Sequence, residues 1–258
     1  MSCSSSEEVK QYCPDRTLER KVAPEKKSHK SRLVIYDAPE ITDATTIVDM
    51  AKHHPEAWRE AFVDEYGEVY PDIVHVQSLL ERKGYIASMQ PPVEKIFRAF
   101  ERLRPEDVRV IFVGMDPYHS GVATGLSFSV EKGVAIPSSL QNIYKELSQC
   151  DPKIVCPDPV NIENSRWVKP NHGDLCEWES QGVLMLNRCL TTNYGKAGAH
   201  GKIYDGFIRR VLRLIMKKAK ENGRTVVFLL LGRDTQGVIF MRFNKPGDTV
   251  AAVTCLEN

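Results

Sequence analysis

The chain has 258 residues, with 35 Lys/Arg against 34 Asp/Glu, 42% apolar and 27% charged residues. That is the balance of a globular protein with room for one sizeable domain plus tails. Its longest apolar run, Val226–Leu231, falls far short of the roughly 18 residues of a membrane-spanning helix, so no membrane partner is expected.

The opening residues Met1-Ser-Cys-Ser-Ser-Ser-Glu-Glu lack the apolar stretch of a secretory signal. The seven cysteines are odd in number and contain no Cys-x-x-Cys pair, which favours reduced thiols inside a cell over a disulfide framework. Residues 1–32 are poor in large apolar side chains. From Arg16 to Arg32, seven basic residues (Arg16, Arg20, Lys21, Lys26, Lys27, Lys30 and Arg32) stand against only Glu19 and Glu25. This reads as a disordered basic tail before a domain at 33–258. Such a tail suits nuclear targeting, DNA contact, a replication or repair partner, or mere solubility.

Periodicity begins near Asp43. Val93, Ile96, Phe97, Phe100 and Leu103 repeat at helical spacing behind Pro91-Pro92, which predicts a helix. Val108–Val113 reads as a strand ending at Gly114. Leu140, Ile143, Tyr144 and Leu147 predict a second helix. Gly182–Leu186 and Thr225–Leu231 read as buried strands, with an amphipathic helix through Phe207, Ile208, Val211, Leu212 and Ile215 between them. Strands alternating with helices point to a single α/β domain around a central, mainly parallel four-stranded sheet flanked by helices. Ligands in such folds sit beyond the carboxyl ends of the strands, here Gly114–Ser120, Asn187–Thr192 and Gly232–Gln236.

Gly114-Met115-Asp116-Pro117-Tyr118-His119 follows the first of these strands. Taken alone, Asp-Pro there could be only a turn. Further on come Gly125-Leu-Ser-Phe-Ser-Val130, Pro137-Ser-Ser-Leu-Gln-Asn-Ile-Tyr-Lys-Glu-Leu147, Gly182-Val-Leu-Met-Leu-Asn187 and Leu230-Leu-Gly-Arg-Asp-Thr-Gln236. Together, from about Ala51 to Thr254, this order of segments resembles the family 1 uracil-DNA glycosylases.

The resemblance implies uracil excision from single- or double-stranded DNA by a monomer, with no cofactor and no metal. An enzyme acting on a base in DNA must take it out of the stack and read its edge in a closed pocket. Under that reading Phe128 stacks on the flipped uracil; otherwise it is a core Phe on a Ser-Phe-Ser strand. Asn187 pairs with N3–H and O4, its amide offering both donors and an acceptor; otherwise it caps a strand end. The resemblance places Tyr118 against C5, excluding thymine, and has Asp116 hold the attacking water and stabilise a cationic sugar. Met115 stands in the base pocket where the family has Gln. Ser138, Ser139, Gly232 and Arg233 resemble loops that grip the DNA backbone.

Two further departures accompany Met115. Ser138 replaces a proline of the family. The family's His-Pro-Ser-Pro-Leu segment, which supplies a donor to uracil O2 and a wedge for the emptied stack, has no match before Asn258. Losing such a donor costs roughly a hundredfold to a thousandfold in rate, so the expectation is an enzyme of reduced turnover. The alternative is a DNA-binding or processivity protein. His119 lies in the matched motif and His200 resembles a loop histidine of the family that is not the donor, so the resemblance implies a structural role for both. Cys150, Cys156, His172 and Cys176 are spaced too irregularly for structural zinc.

Overall fold

The computed structural model describes residues 40–42, 44–149 and 171–231, and the backbone of 253–256. The basic tail, Cys150, Cys156, Gly232 and Arg233 lie outside the described residues. Six strands are described: β1 (Met89–Gln90), β2 (Val110–Gly114), β3 (Val183–Asn187), β4 (Thr192–Asn193), β5 (Val227–Leu231) and β6 (Val253–Leu256). The described α-helices are α1 (Ile47–Lys52), α2 (Arg59–Phe62), α3 (Pro71–Arg82), α4 (Ser138–Gln149), α5 (Cys176–Ser180) and α6 (Asp205–Glu221).

The central sheet runs β3-β2-β5-β6, every pairing parallel, and β1 pairs antiparallel with β4 away from it. Ile111, Phe112 and Val113 of β2 and Leu184, Met185 and Leu186 of β3 are all buried. Near-continuous apolar runs are what a sheet covered on both faces requires. Strand β2 starts two residues later than its apolar pattern, after a 3-10 turn at Pro105–Asp107. The register brings Gly114 of β2 beside Asn187 of β3, so both strands end at the same level.

Local sequence explains several helix ends. The Thr46 hydroxyl accepts from Asp49 N–H while the Asp49 carboxylate accepts from Thr46 N–H, a reciprocal cap that starts α1. The side chain of Gln77 accepts the Ile47 N–H at 3.0 Å and so satisfies another open donor of that first turn. Pro71 opens α3, where its missing N–H costs nothing. Helix α6 buries Phe207, Ile208, Val211, Leu212, Leu214, Ile215 and Ala219 and carries Lys218 and Lys220 in its last turn, where cations suit the helix dipole.

The helix expected through Val93–Leu103 is replaced by two 3-10 turns, Val93–Lys95 and Arg98–Phe100. The apolar spacing reflects packing, not an α-helix. Phe97 and Phe100 stand edge-on to Phe62 at 4.9 and 5.5 Å, and Phe100 meets Trp58 and Phe207 at 5.1 and 5.5 Å. Edge-to-face contacts of this kind add to the burial energy of the rings. The second turn also carries Arg98, whose guanidinium donates to both oxygens of Glu179 at 2.9 and 3.0 Å and so tethers α5. Burial alone would lower the Arg98 pKa, but its bonds to Glu179 raise it. Glu179 is only 3% exposed. Arg98→Ala, which strands that carboxylate, should cost about 3–5 kcal/mol and lower Tm by roughly 10 °C. A calorimetric shift under about 2 °C would show the pair to be dispensable.

Candidate active site

The site forms where β2 and β3 end. Beyond Gly114 and Asn187 the two chains stay paired: Arg188 N–H donates to Gly114 O at 2.8 Å and Cys189 N–H to Met115 O at 3.0 Å. The loop Met115–His119 is therefore held against the segment after β3, with Asp116 half-exposed at its crest.

One oxygen of Asp116, Oδ2, accepts the backbone N–H of Gly198. Oδ1 makes no hydrogen bond among the described residues and is free to hold a water. The loop providing Gly198 is fixed at several points. Gly195 N–H donates to His119 O at 2.8 Å, Tyr194 N–H to Ser88 O at 2.7 Å, and the Thr192 hydroxyl to Lys196 O at 2.7 Å. His200 anchors its far end. Its ring nitrogens lie 2.8 Å from Thr191 Oγ1 and 2.9 Å from Asn193 Oδ1, and the ring stacks on Tyr85 at 5.2 Å. Burial pushes its pKa down to about 4, so the imidazole is neutral at physiological pH. With both nitrogens engaged inside the protein, His200 is a structural group.

Phe128 is not on a strand. It takes a left-handed backbone, φ 62°, in a turn between two buried serines. Such a conformation is uncommon for a bulky side chain and persists only where the surroundings impose it. They do so here. Ser127 donates through its hydroxyl to Phe112 O at 3.1 Å and through its N–H to Met185 O at 3.2 Å, while Ser129 Oγ accepts Leu175 N–H at 3.1 Å. Gly125, φ +86°, lies so close to the Lys95 carbonyl that a Cβ there would overlap it. Four neighbours thus set the Phe128 ring, which stands edge-on to Phe112 at 5.2 Å.

Ring and amide converge on Gly114. A Cβ at that position would lie 2.5 Å from Asn187 Oδ1 and 3.2 Å from Phe128 Cε2. Asn187 is 3% exposed, yet its amide makes no hydrogen bond among the described residues. An amide with no hydrogen bond to the described residues can offer its donors and its acceptor to a ligand.

Tyr118 closes the same region. Its hydroxyl donates to Phe128 O at 3.2 Å and lies 2.8 Å from Ser139 Oγ. Burial raises the phenol pKa, with the Ser139 bond opposing, and keeps it neutral. The Ser139 hydroxyl is therefore tied to the pocket wall, while Ser138 is exposed at the first residue of α4. Met115 is half-buried and contributes its carbonyl to the Cys189 bond. Among the described residues no cluster of three or more His, Cys, Asp or Glu side chains could hold a metal ion. The motifs contain Gly114 and the two pinning serines but assign them no role, and the Gly198 N–H lies outside them. Gly195 and Gly198 both take a left-handed backbone, φ 74° and 65°, which glycine adopts at little cost.

A carboxylate, a fixed aromatic ring and an amide thus lie together at the carboxyl ends of the parallel sheet of an α/β protein. The comparisons show its family. The model of the Uracil DNA glycosylase superfamily matches residues 100–255. The uracil-DNA glycosylase of Exiguobacterium sibiricum is 36% identical over 178 residues, covering 68% of this chain and 72% of that one. The one from Wolinella succinogenes is 37% identical over 179 residues, covering 68% and 69%. The crystal structure of mimivirus uracil-DNA glycosylase superposes with a TM-score of 0.54 at 24% identity, over 70% of this chain and 62% of that chain. The chain belongs to the uracil DNA glycosylase superfamily.

Proposed function

We propose that this protein hydrolyses the N-glycosidic bond of deoxyuridine in DNA, the first step of base-excision repair. The observation that carries the reading is the convergence of the Asn187 amide and the fixed Phe128 ring over Gly114, two residues before Asp116. The uracil-DNA glycosylases to which the chain is similar support it.

In this reading DNA presents an extruded nucleotide to the strand ends. Phe128 stacks on the base, and the Asn187 amide accepts from N3–H through its oxygen and donates to O4 through its nitrogen. Cytosine, with an unprotonated N3 and an amino group at position 4, would set acceptor against acceptor and donor against donor. Such unpaired polar contacts can discriminate by about four orders of magnitude. Tyr118, held by Phe128 O and Ser139, forms the wall that a 5-methyl group would strike.

The bond between C1′ and N1 breaks, and its electron pair leaves with the base as the uracil anion. Asp116 Oδ1 orients a water toward C1′ while its charge offsets the positive sugar. The water's oxygen bonds C1′, and its proton passes to the carboxylate or onward to solvent. Gly198 N–H holds the other carboxylate oxygen, so the side chain need not reorient as charge develops.

The test is direct. Incubating the full chain with single-stranded oligonucleotides that contain one uracil should release free uracil, and matched oligonucleotides with thymine or cytosine targets should stay intact. No release at equimolar protein after hours would reject the reading and leave a DNA-binding role.

A further inference from the structure

The loop that caps Asp116 also carries an exposed aromatic ring that the pocket does not use. Tyr194 is 64% exposed. Its hydroxyl makes no hydrogen bond among the described residues, and its ring lies beside Gly121, where a Cβ would be 3.4 Å from Tyr194 Cε2. Gly121 lies two residues after His119, and Gly195 N–H is bonded to His119 O, so the ring stands beside the end of the Asp116 loop. Between Asn193 and Tyr204 the chain carries Lys196 and Lys202 and no Asp or Glu. Both lysines are exposed, and neither ammonium group forms an ion pair among the described residues.

This ring is presented rigidly. Tyr194 N–H is bonded to Ser88 O, the next residue to His119 O, and Lys196 N–H to Asn193 O at 3.0 Å. The buried contacts of His200 hold the loop's other end. A bare aromatic face on a fixed loop, flanked by unpaired cations, has the composition of a single-strand nucleic-acid platform, where bases stack and phosphates follow the charges.

We infer that Tyr194 stacks on the base next to the extruded nucleotide, with Lys196 and Lys202 taking the adjoining phosphates. This rests on the reading of the pocket as a deoxyuridine site and extends it to the neighbouring nucleotide. A stacked neighbour would hold the strand open beside the gap and lower the cost of keeping the target base unstacked. Tyr194 would then be a binding residue for DNA, separate from those that touch uracil.

The experiment measures binding, so it is independent of turnover. Fluorescence anisotropy of the full chain would use a labelled single strand with one 2′-fluoro-deoxyuridine, which resists cleavage. A companion strand would replace the two flanking nucleotides with abasic analogues. On the first strand Tyr194→Ala should bind about tenfold more weakly than the parent, and Tyr194→Phe within about twofold. On the companion strand the parent and Tyr194→Ala should bind equally, because no base remains to stack. Lys196→Gln and Lys202→Gln should each flatten the dependence of log Kd on log salt by about 0.7.

Equal affinity of parent and Tyr194→Ala on the first strand would overturn the stacking role. So would an identical loss on both strands, which would mark the residue as merely structural. Unchanged salt slopes in both lysine variants would overturn the phosphate contacts. Failure to release uracil from a cleavable strand would instead reject the deoxyuridine reading, whatever the anisotropy shows.

Discussion

Asp116→Asn should lower the single-turnover rate of uracil release by about a thousandfold, within the 10²–10⁴ range of a positioned base, and should barely change Tm. Asn matches Asp in shape, and its amide oxygen can still accept the Gly198 N–H, so the loop keeps its anchor. What is lost is the negative charge beside the sugar and the basic oxygen facing the water. The charge matters because it sits at a half-enclosed strand end, where electrostatic attraction is stronger than in bulk water. Binding of an uncleavable deoxyuridine strand should stay close to the parent value, since Phe128 and Asn187 make the base contacts. The measurement is uracil release with protein in excess over oligonucleotide. A rate within about threefold of the parent would remove Asp116 from the chemistry. Loss of both rate and affinity would instead show that the loop collapses without its charge.

Some of this architecture was legible before any geometry. The apolar runs of β2, β3 and β5 located the strands to within two residues, because a sheet covered on both faces leaves no polar alternation to confuse the reading. The rule that ligands sit beyond strand carboxyl ends pointed to the segments that contain Asp116 and Asn187, and the family resemblance then singled out these two residues. Helix α6 was equally plain, since its buried stripe runs unbroken from Phe207 to Ala219.

Elsewhere packing overrode local pattern. Ile96, Phe97 and Phe100 carry helical spacing, but they meet Phe62, Trp58 and Phe207 in an aromatic cluster that two tight turns satisfy. The left-handed backbone of Phe128 could not be read from Ser-Phe-Ser, because hydrogen bonds to Phe112, Met185 and Leu175, all distant in sequence, impose it. The same is true of the Gly198 contact to Asp116, which joins residues 82 positions apart. Residue identities named the candidate groups. The tertiary contacts that orient them were beyond the reach of spacing.

Gly114→Ala adds one methyl group at the point where ring and amide meet, and it should cut kcat/KM for uracil release by about a hundredfold. Gly114 has no left-handed backbone, so alanine can follow the strand without strain, and the fold should survive. Its Cβ, however, would sit 2.5 Å from Asn187 Oδ1 and 3.2 Å from both Phe128 Cε2 and Ser127 Cβ. Ser127 is pinned to Phe112 O and Met185 O, and the Phe128 ring packs on Phe112, so neither can yield freely. The Asn187 amide must swing instead. A displacement of about 1 Å at a positioning group is enough for a hundredfold loss. Overpacking of this kind costs about 1–3 kcal/mol, a fall in Tm of roughly 2–10 °C. Because the displaced group is the one that distinguishes N3–H from an unprotonated N3, the preference for uracil over cytosine should narrow as well. Near-native kcat/KM together with unaltered base preference would show that the pocket over Gly114 is not where the base is read.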